Sequence, residues 1–429
     1  MLATLRNAWR VKEIRVKLLF TLGIILVFRF GSVLPIPFVD ASAINLAQEG
    51  AFFSYLNVLT GGAMEYGALF ALSITPYINA SIIMQLLTVA IPALERIAQE
   101  GQEGQKKIAK YTRFATVILG LIQSIAYWWW LFAQNYLSEG RITDGIGERI
   151  FVAVVVVLCF TAGSALVMWL GERIDESGIG NGISILLFAG IISRLPAGIG
   201  TLYGQFTSGQ WIEGAATILI FALLVLFVVW MHFGERRIPI QYAKRVVGRK
   251  QYGGQNSHMP IKVNLSGVLP IIFASSILMI PQQILQFMGT DANTESTWYR
   301  ILTLLDYRSL TYAVVYFGFI IAFAYFYTSI QYNPVEMANN LRRNNGAIPG
   351  IRPGKPTQTF IKNILSRVTL IGAIFLGVLA ILPTIIGMFM TTNLTLGGTS
   401  LLIVVGVAID TVQQLESQMM MRHYKGFLD

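Results

Sequence analysis

The sequence predicts an all-α polytopic membrane protein: about ten transmembrane helices in two inverted halves of five. Three observations carry that expectation. Hydrophobic residues make up 54% of the 429 and charged ones only 13%, against roughly a quarter charged in an ordinary soluble chain. The apolar residues gather into stretches of roughly 20, the length that crosses a bilayer core, and the connections between them leave no room for a soluble domain. The positive charge falls almost wholly on every second connection. Of 32 Lys and Arg, 26 lie on one set, five (Arg141, Arg149, Arg194, Arg300, Arg308) lie on the other, and Arg29 sits inside an apolar stretch. Cytoplasmic loops accumulate Lys and Arg, so this bias implies an even number of spans with both termini cytoplasmic. The net charge of +10 then belongs to a basic cytoplasmic face, suited to orientation and to contact with anionic lipids.

In order, the spans are expected at residues 18–34, 69–91, 114–134, 151–170, 182–196, 214–233, 265–288, 311–331, 368–390 and 399–416. The first follows basic residues, as a signal peptide would. No small-residue cleavage site follows LLFTLGIILVF and further spans do, so it reads as a retained helix. The outer stretch from Gly31 to Leu69 contains AFFSYLNVLTGGAMEYG, an apolar half-helix too short to cross and broken at Gly61 and Gly62. Tyr127, Trp128, Trp129 and Trp130 close the third span at the outer interface, where amphipathic rings prefer to sit. Cys159, the single cysteine, lies in FVAVVVVLCF and reads as a small buried hydrophobe. The cytoplasmic connections at about 234–264 and 331–367 are long, basic and punctuated by Gly and Pro.

The spans are unequal in a pattern. With residues 1–196 as one half, 214–429 as the other and 197–213 as the hinge, the second members of each half carry prolines: Pro76 in span 2, Pro270 and Pro281 in span 7. The fifth members, NGISILLFAGIISRLP and TSLLIVVGVAID, are both short. Weak segments at matching positions point to an inverted repeat with a pathway between the halves. Pro and Gly are also simply common in membrane helices, and the pattern alone leaves both accounts open.

The membrane-embedded inventory limits the chemistry. Ion-coupled transporters need ionisable groups at membrane depth. Here His232, His258 and His423 lie at or beyond a cytoplasmic edge, and only Arg29, Glu65 and Asp410 are plausible near-membrane charges. Arg29 is about a turn from the outer end of span 1 and is expected to snorkel outward. No proton relay, cation cage, metal site or cofactor site is legible. The segment PGIRPGKPT, Pro349 to Thr357, resembles a phosphate loop but lacks its first glycine, has Pro356 where Ser or Thr would ligate magnesium, and could not start the required helix. A small-solute transporter or an intramembrane enzyme would each need such groups; a passive conduit or scaffold does not. Candidates to line a path are apolar: Ile74 and Ile78 share a helix face around Pro76, Ile183 and Leu187 do the same in span 5, Ile272 follows Pro270, and Ile403 lies in span 10. Such residues can close a pore by dewetting, although isoleucine in a membrane helix is more often packed or lipid-facing.

These residues sit in segments that are recognisable together. LPIPFVD, GGAMEYGALFALSITPYINASIIMQLL, GIGNGISILLFAGI, QYAKR, LSGVLPIIFASSI, NPVEMANNLRRNNGAIPGIRPGKPT and GGTSLLIVV occur in order across all ten spans, and the chain resembles the bacterial SecY family of protein-conducting channels. The resemblance implies a non-enzymatic channel in the bacterial inner membrane. It would pass unfolded secretory polypeptides through a central pore and release signal or transmembrane helices sideways. It places the pore ring at Ile74, Ile78, Ile183, Leu187, Ile272 and Ile403, with Leu187 where an Ile is common. It implies a re-entrant plug at about 53–66, with Phe53, Tyr55, Asn57, Thr60, Gly61, Gly62 and Glu65. A lateral gate would lie between spans 2–3 and 7–8, lined by Gln85, Asn181, Asn264, Ser275 and Ser276. Arg236, Arg237, Lys244, Arg245, Arg249, Lys250 and Arg352 would form docking sites for the SecA motor ATPase and for ribosomal RNA phosphates. The implied partners are the small subunits SecE and SecG, SecA, the ribosome, signal peptides, secretory precursors and anionic lipids.

Overall fold

The computed structural model describes residues 6, 8–44, 56–137, 146–242, 245–247, 250–252, 256–288, 309–389 and 398–425. The first helix, α1, runs Lys12–Gly31. Residues 60–74 are turns, apart from Ala68 bridged to Pro35, so the helix expected from residue 69 begins only at Thr75; α2 is Thr75–Ala90. Pro76 lies in its first turn, where the missing N–H has no partner to lose. It starts a helix rather than breaking one. The break comes at the other end: Ile91 is extended, as a residue before proline should be, and Pro92 starts α3, Pro92–Gln99, at 100° to α2.

Two 32-residue helices follow, α4 (Gln102–Ala133) and α5 (Ile146–Ser177). Both overrun their expected spans at the end where Arg113 Nε donates to Glu172 Oε1 at 2.7 Å. The short helix α6 (Gly182–Ile192) has a doubly satisfied start: the Asn181 side chain accepts from the Ser184 N–H, and Asp175 Oδ1 accepts from the Gly182 N–H at 2.7 Å. The expected hinge is itself mostly helical, α7 (Leu195–Thr207). The chain then reverses through Gly209, at φ 84°, into α8 (Trp211–His232).

The long basic connections are not open loops, and the chain is not purely α. Strand β1 (Glu235–Tyr242) pairs antiparallel with β4 (Asn256–Lys262), and β2 (Arg245–Val247) pairs with β3 (Lys250–Tyr252) at the tip. Next come α9 (Leu269–Met288, with Pro281 inside), α10 (Leu310–Gln331) and α11 (Pro334–Arg343), whose N-cap Asn333 accepts from the Val335 N–H at 3.0 Å. Strand β5 (Gly346–Ala347) then adds to β1, giving the order β4-β1-β5 and joining the two basic connections in one sheet. The chain ends with α12 (Lys355–Phe389) and α13 (Gly398–Lys425). Span 10 is therefore not short; its helix continues through the polar stretch QQLESQ.

Among the described residues, seven helical segments are long and apolar enough to cross a membrane, two of them joined pairs (α6 with α7, and α10 with α11), and the bent α2–α3 pair makes an eighth. The other two expected spans are α1, which carries charges at both ends, and α9, whose apolar part Leu269–Pro281 is short. Leu26, Ile118, Phe151, Leu219 and Leu226 point outward, the inverse of a water-soluble surface. Within the N-terminal part, α1 packs on α5 and α6, α2 on α4, and α4 on α5. Within the C-terminal part, α9 packs on α10, α10 on α12, and α12 and α8 on α13. The two parts meet along two seams. At one, α9 lies against α2 and α4; at the other, α13 lies against α6.

Candidate functional site: an apolar constriction with a fastened plug

The six apolar path candidates sit on four of the five helices that form the two seams. Ile74 (the N-cap) and Ile78 belong to α2, Ile183 and Leu187 to α6, Ile272 to α9 and Ile403 to α13. Ile74, Ile78, Leu187, Ile272 and Ile403 are buried, Ile183 is partly buried, and all six belong to one apolar cluster. Leu56, Val58, Leu59 and Met64, from the re-entrant segment, belong to the same cluster. A narrow space closed by such side chains offers water and ions nothing to replace their hydration.

Phe53 and Tyr55 lie outside the described residues. From Leu56 the segment makes one helical turn and then unwinds. Asn57 organises it: its Nδ2 donates to Glu65 Oε2 at 3.0 Å, its Oδ1 accepts from the Glu65 N–H at 3.2 Å, and its carbonyl accepts from Thr60 Oγ1 and the Gly62 N–H. Gly61 and Gly62 take φ of 67° and 93°, the left-handed region that side chains disfavour. Their missing side chains also make room for two arginines. A Cβ on Gly61 would lie 2.6 Å from Arg29 Nη1, and one on Gly62 would lie 2.8 Å from Arg194 Nη2.

Both guanidinium groups are bonded here. Arg29 Nη1 donates to the Gly61 carbonyl at 3.0 Å, and Ser193 Oγ reaches the same oxygen at 3.3 Å. Arg194 Nη2 pairs with Glu65 Oε2, and Tyr127 donates its hydroxyl to the Met64 carbonyl at 3.1 Å. One expectation is corrected by these contacts. Arg29 does not snorkel to the outer interface; it turns inward onto a carbonyl that has no helical partner. Tyr127 and Trp130 are buried, and of the aromatic cluster Trp129 is the exposed member. Arg29, Tyr127, Ser193 and Arg194 are site residues that sequence reasoning missed, although a lone arginine in an apolar helix was a signal for the first.

Of the gate candidates, Gln85 is on α2, and Ser275 and Ser276 are buried on α9, which packs against α2. Ser275 Oγ is satisfied by the Ile272 carbonyl at 2.9 Å. Asn264 leads into α9 and lies beside α12 near Gly372. The buried oxygens Gln85 Oε1 and Asn264 Oδ1 have no hydrogen-bond partner among the described residues. Asn181 is elsewhere. It lines a cavity of about 510 Å³ with Ser184, Lys262, Asp410, Gln413 and Ser417, at the α6–α13 seam rather than the α2–α9 seam.

The basic candidates share a platform. Ile238 and Ile240 of β1 point inward, and with Ile261, Leu341, Ile348, Ile361 and Leu365 they form a second apolar core. Arg236 and Arg237 project outward from the same strand, Arg237 onto Glu235 at 2.6 Å. Arg245 and Lys250 lie on the tip strands, while Lys244 and Arg249 lie outside the described residues. Arg352 is exposed between Gly350 (φ 81°) and Gly354 (φ 108°), and its carbonyl accepts from Thr357 Oγ1 at 2.9 Å.

Residues 68–412 match the SecY family model. The protein translocase subunit SecY of Streptomyces galbus is 43% identical over 440 residues, covering 100% of both chains. The chain belongs to the SecY family. It is a protein translocase subunit that forms a translocation channel, and it is a multi-pass membrane protein. Among solved structures the fold is similar to that of a SecY whose plug domain stabilises the closed state of the translocation channel and maintains a membrane seal. That likeness has a TM-score of 0.68 at 20% identity and covers 94% of this chain and 92% of the other. It is also similar to Sec61 in the canine ribosome–channel complex from the endoplasmic reticulum, with a TM-score of 0.63 at 18% identity over 94% and 92% of the two chains.

Proposed function

We propose that Ile74, Ile78, Ile183, Leu187, Ile272 and Ile403 are the constriction through which an unfolded secretory polypeptide passes, and that the segment at about 53–66 is its plug. The observation that carries this reading is the placement of all six on four of the five helices that meet across the two seams, in one apolar cluster with the re-entrant segment. Two halves, residues 1–196 and 214–429 joined near 197–213, move apart to widen the ring. A featureless apolar ring suits arbitrary cargo, because it hydrogen-bonds no particular sequence. The α2–α9 seam, with Gln85, Ser275 and Ser276, is the lateral gate, through which an apolar signal helix leaves for the lipid; unpaired backbone would cost several kcal/mol there, so the cargo must already be helical.

The basic platform docks the partners. Arg236, Arg237 and Arg352, with Lys244, Arg245, Arg249 and Lys250, bind the SecA motor or ribosomal phosphates, both of which attract Arg and Lys; the likeness to a ribosome-bound channel supports the second. SecE, SecG and anionic lipids complete the assembly in the bacterial inner membrane, with both termini cytoplasmic. The test is reconstitution with these partners. Wild type should move a secretory precursor into proteoliposomes in an ATP-dependent way and be nearly non-conducting at rest in planar bilayers. Ile78→Ser with Ile272→Ser should conduct at rest, because a polar, narrower side chain wets the ring. A double variant that stays as tight as wild type would remove these residues from the constriction.

A further inference from the structure

The contacts of the re-entrant segment are one-sided. Every hydrogen bond and ion pair described for residues 56–66 ends within the segment or on the N-terminal part of the chain: Arg29 on α1, Tyr127 on α4, and Ser193 and Arg194 between α6 and α7. Backbone contact follows the same direction. Gly190 of α6 approaches so closely that a Cβ on it would lie 2.8 Å from the Leu59 carbonyl oxygen. None of the polar contacts reaches α9 or α13, the two helices that the C-terminal part brings to the seams.

We infer that Arg29, Arg194 and Glu65 form a latch that fastens the plug to the N-terminal half alone, so that plug release and separation of the halves are two distinct steps. This inference rests on the channel reading above and adds the residues and the order of events. When the seams open, nothing polar pulls the plug away; it rides on one wall and still lies across the path. Release requires breaking the Glu65–Arg194 pair and freeing the Gly61 carbonyl. The geometry makes that step graded rather than prohibitive. Glu65 and Arg194 are both partly exposed, so water can take over each charge once they part. The Gly61 carbonyl instead loses a charged donor, Arg29, beside a long contact from Ser193, whose one hydroxyl proton goes to the Gly190 carbonyl at 2.6 Å. Glu65 is the pivot, because its Oε2 accepts from both Arg194 and Asn57, the organiser of the segment.

The experiment uses the full complex in planar bilayers. Glu65→Gln keeps the shape and the Asn57 contact but removes the charge that holds Arg194. It should raise resting conductance about tenfold, which corresponds to about 1.4 kcal/mol of lost closed-state preference. Insertion of an apolar signal helix into lipid, the reaction of the seam, should be unchanged. Arg194→Glu should leak similarly, and the exchange Glu65→Arg with Arg194→Glu should restore the tight state, which also shows that the single variants fold. Wild-type conductance in Glu65→Gln, or a leak that the exchange does not reverse, overturns the latch. The Ile78→Ser, Ile272→Ser channel run beside them separates the two ideas: if it conducts while Glu65→Gln does not, only the latch is wrong, and if neither conducts, the channel reading itself fails.

Discussion

Gly190→Ala tests the plug from its backbone side, with a perturbation that can be sized in advance. The added methyl would sit 2.8 Å from the Leu59 carbonyl oxygen and 3.5 Å from the Gly61 nitrogen. Carbon–oxygen contacts settle at about 3.3 Å or beyond, so one side must retreat by about 0.5 Å. Helix α6 is poorly placed to move, because its Gly182 lies on the backbone of α5; a Cβ there would come 2.0 Å from the Gly171 oxygen. The plug therefore yields. Ser193 Oγ already stands 3.3 Å from the Gly61 carbonyl and Arg29 Nη1 stands 3.0 Å away, and a shift of that size carries the first beyond hydrogen-bonding range and weakens the second. Overpacking of this kind costs about 1–3 kcal/mol, and a midpoint of about 2 kcal/mol is roughly a 30-fold change in a two-state population. Resting conductance of the reconstituted channel should rise by that order. Gly200→Ala is the control: it is also helical, but an added Cβ meets nothing within 4 Å. Equal conductance from the two variants would show that the close approach of Gly190 to Leu59 does not hold the plug, and the reasoning would fail.

Two further outcomes are expected. Arg352→Glu should cut motor-driven translocation about tenfold or more, since reversing a charge at a docked pair costs several kcal/mol, while membrane insertion stays normal because topology follows summed charge; equal loss from reversals at Arg342 or Lys362 would reduce the effect to bulk charge. Gly372→Ala should lower the midpoint of thermal unfolding in detergent without raising conductance, because its Cβ would lie 2.4 Å from the Val263 carbonyl oxygen where α12 crosses the lead-in to α9; Gly318→Ala, with open space around it, should not.

Much of this architecture was legible because membrane insertion is read from local composition. Apolar length and the Lys/Arg bias depend on neighbouring residues only, so the spans, the basic face and the re-entrant half-helix could be placed from the chain itself. Motif resemblance carried the ring candidates onto helices that do meet at the seams. What local pattern could not supply was anything set by packing between distant segments. Pro76 read as a break because proline disfavours a helix interior, yet its position in the first turn depends on where α2 starts. Strands β1, β4 and β5 were hidden in loop-like composition, and they form because Ile238, Ile240 and Ile261 find Leu341, Ile361 and Leu365 far along the chain.

The plug shows the division most clearly. Sequence alone determined that Arg29 and Glu65 were unusual charges beside apolar segments, and that Gly61 and Gly62 would break a helix. Only the tertiary structure decided that the two glycines make room for the two guanidinium groups, and that Glu65 meets Arg194 across 129 positions. A charge in an apolar setting must find a partner or reach water. Which of the two it does depends on surfaces that exist only once the helices have packed.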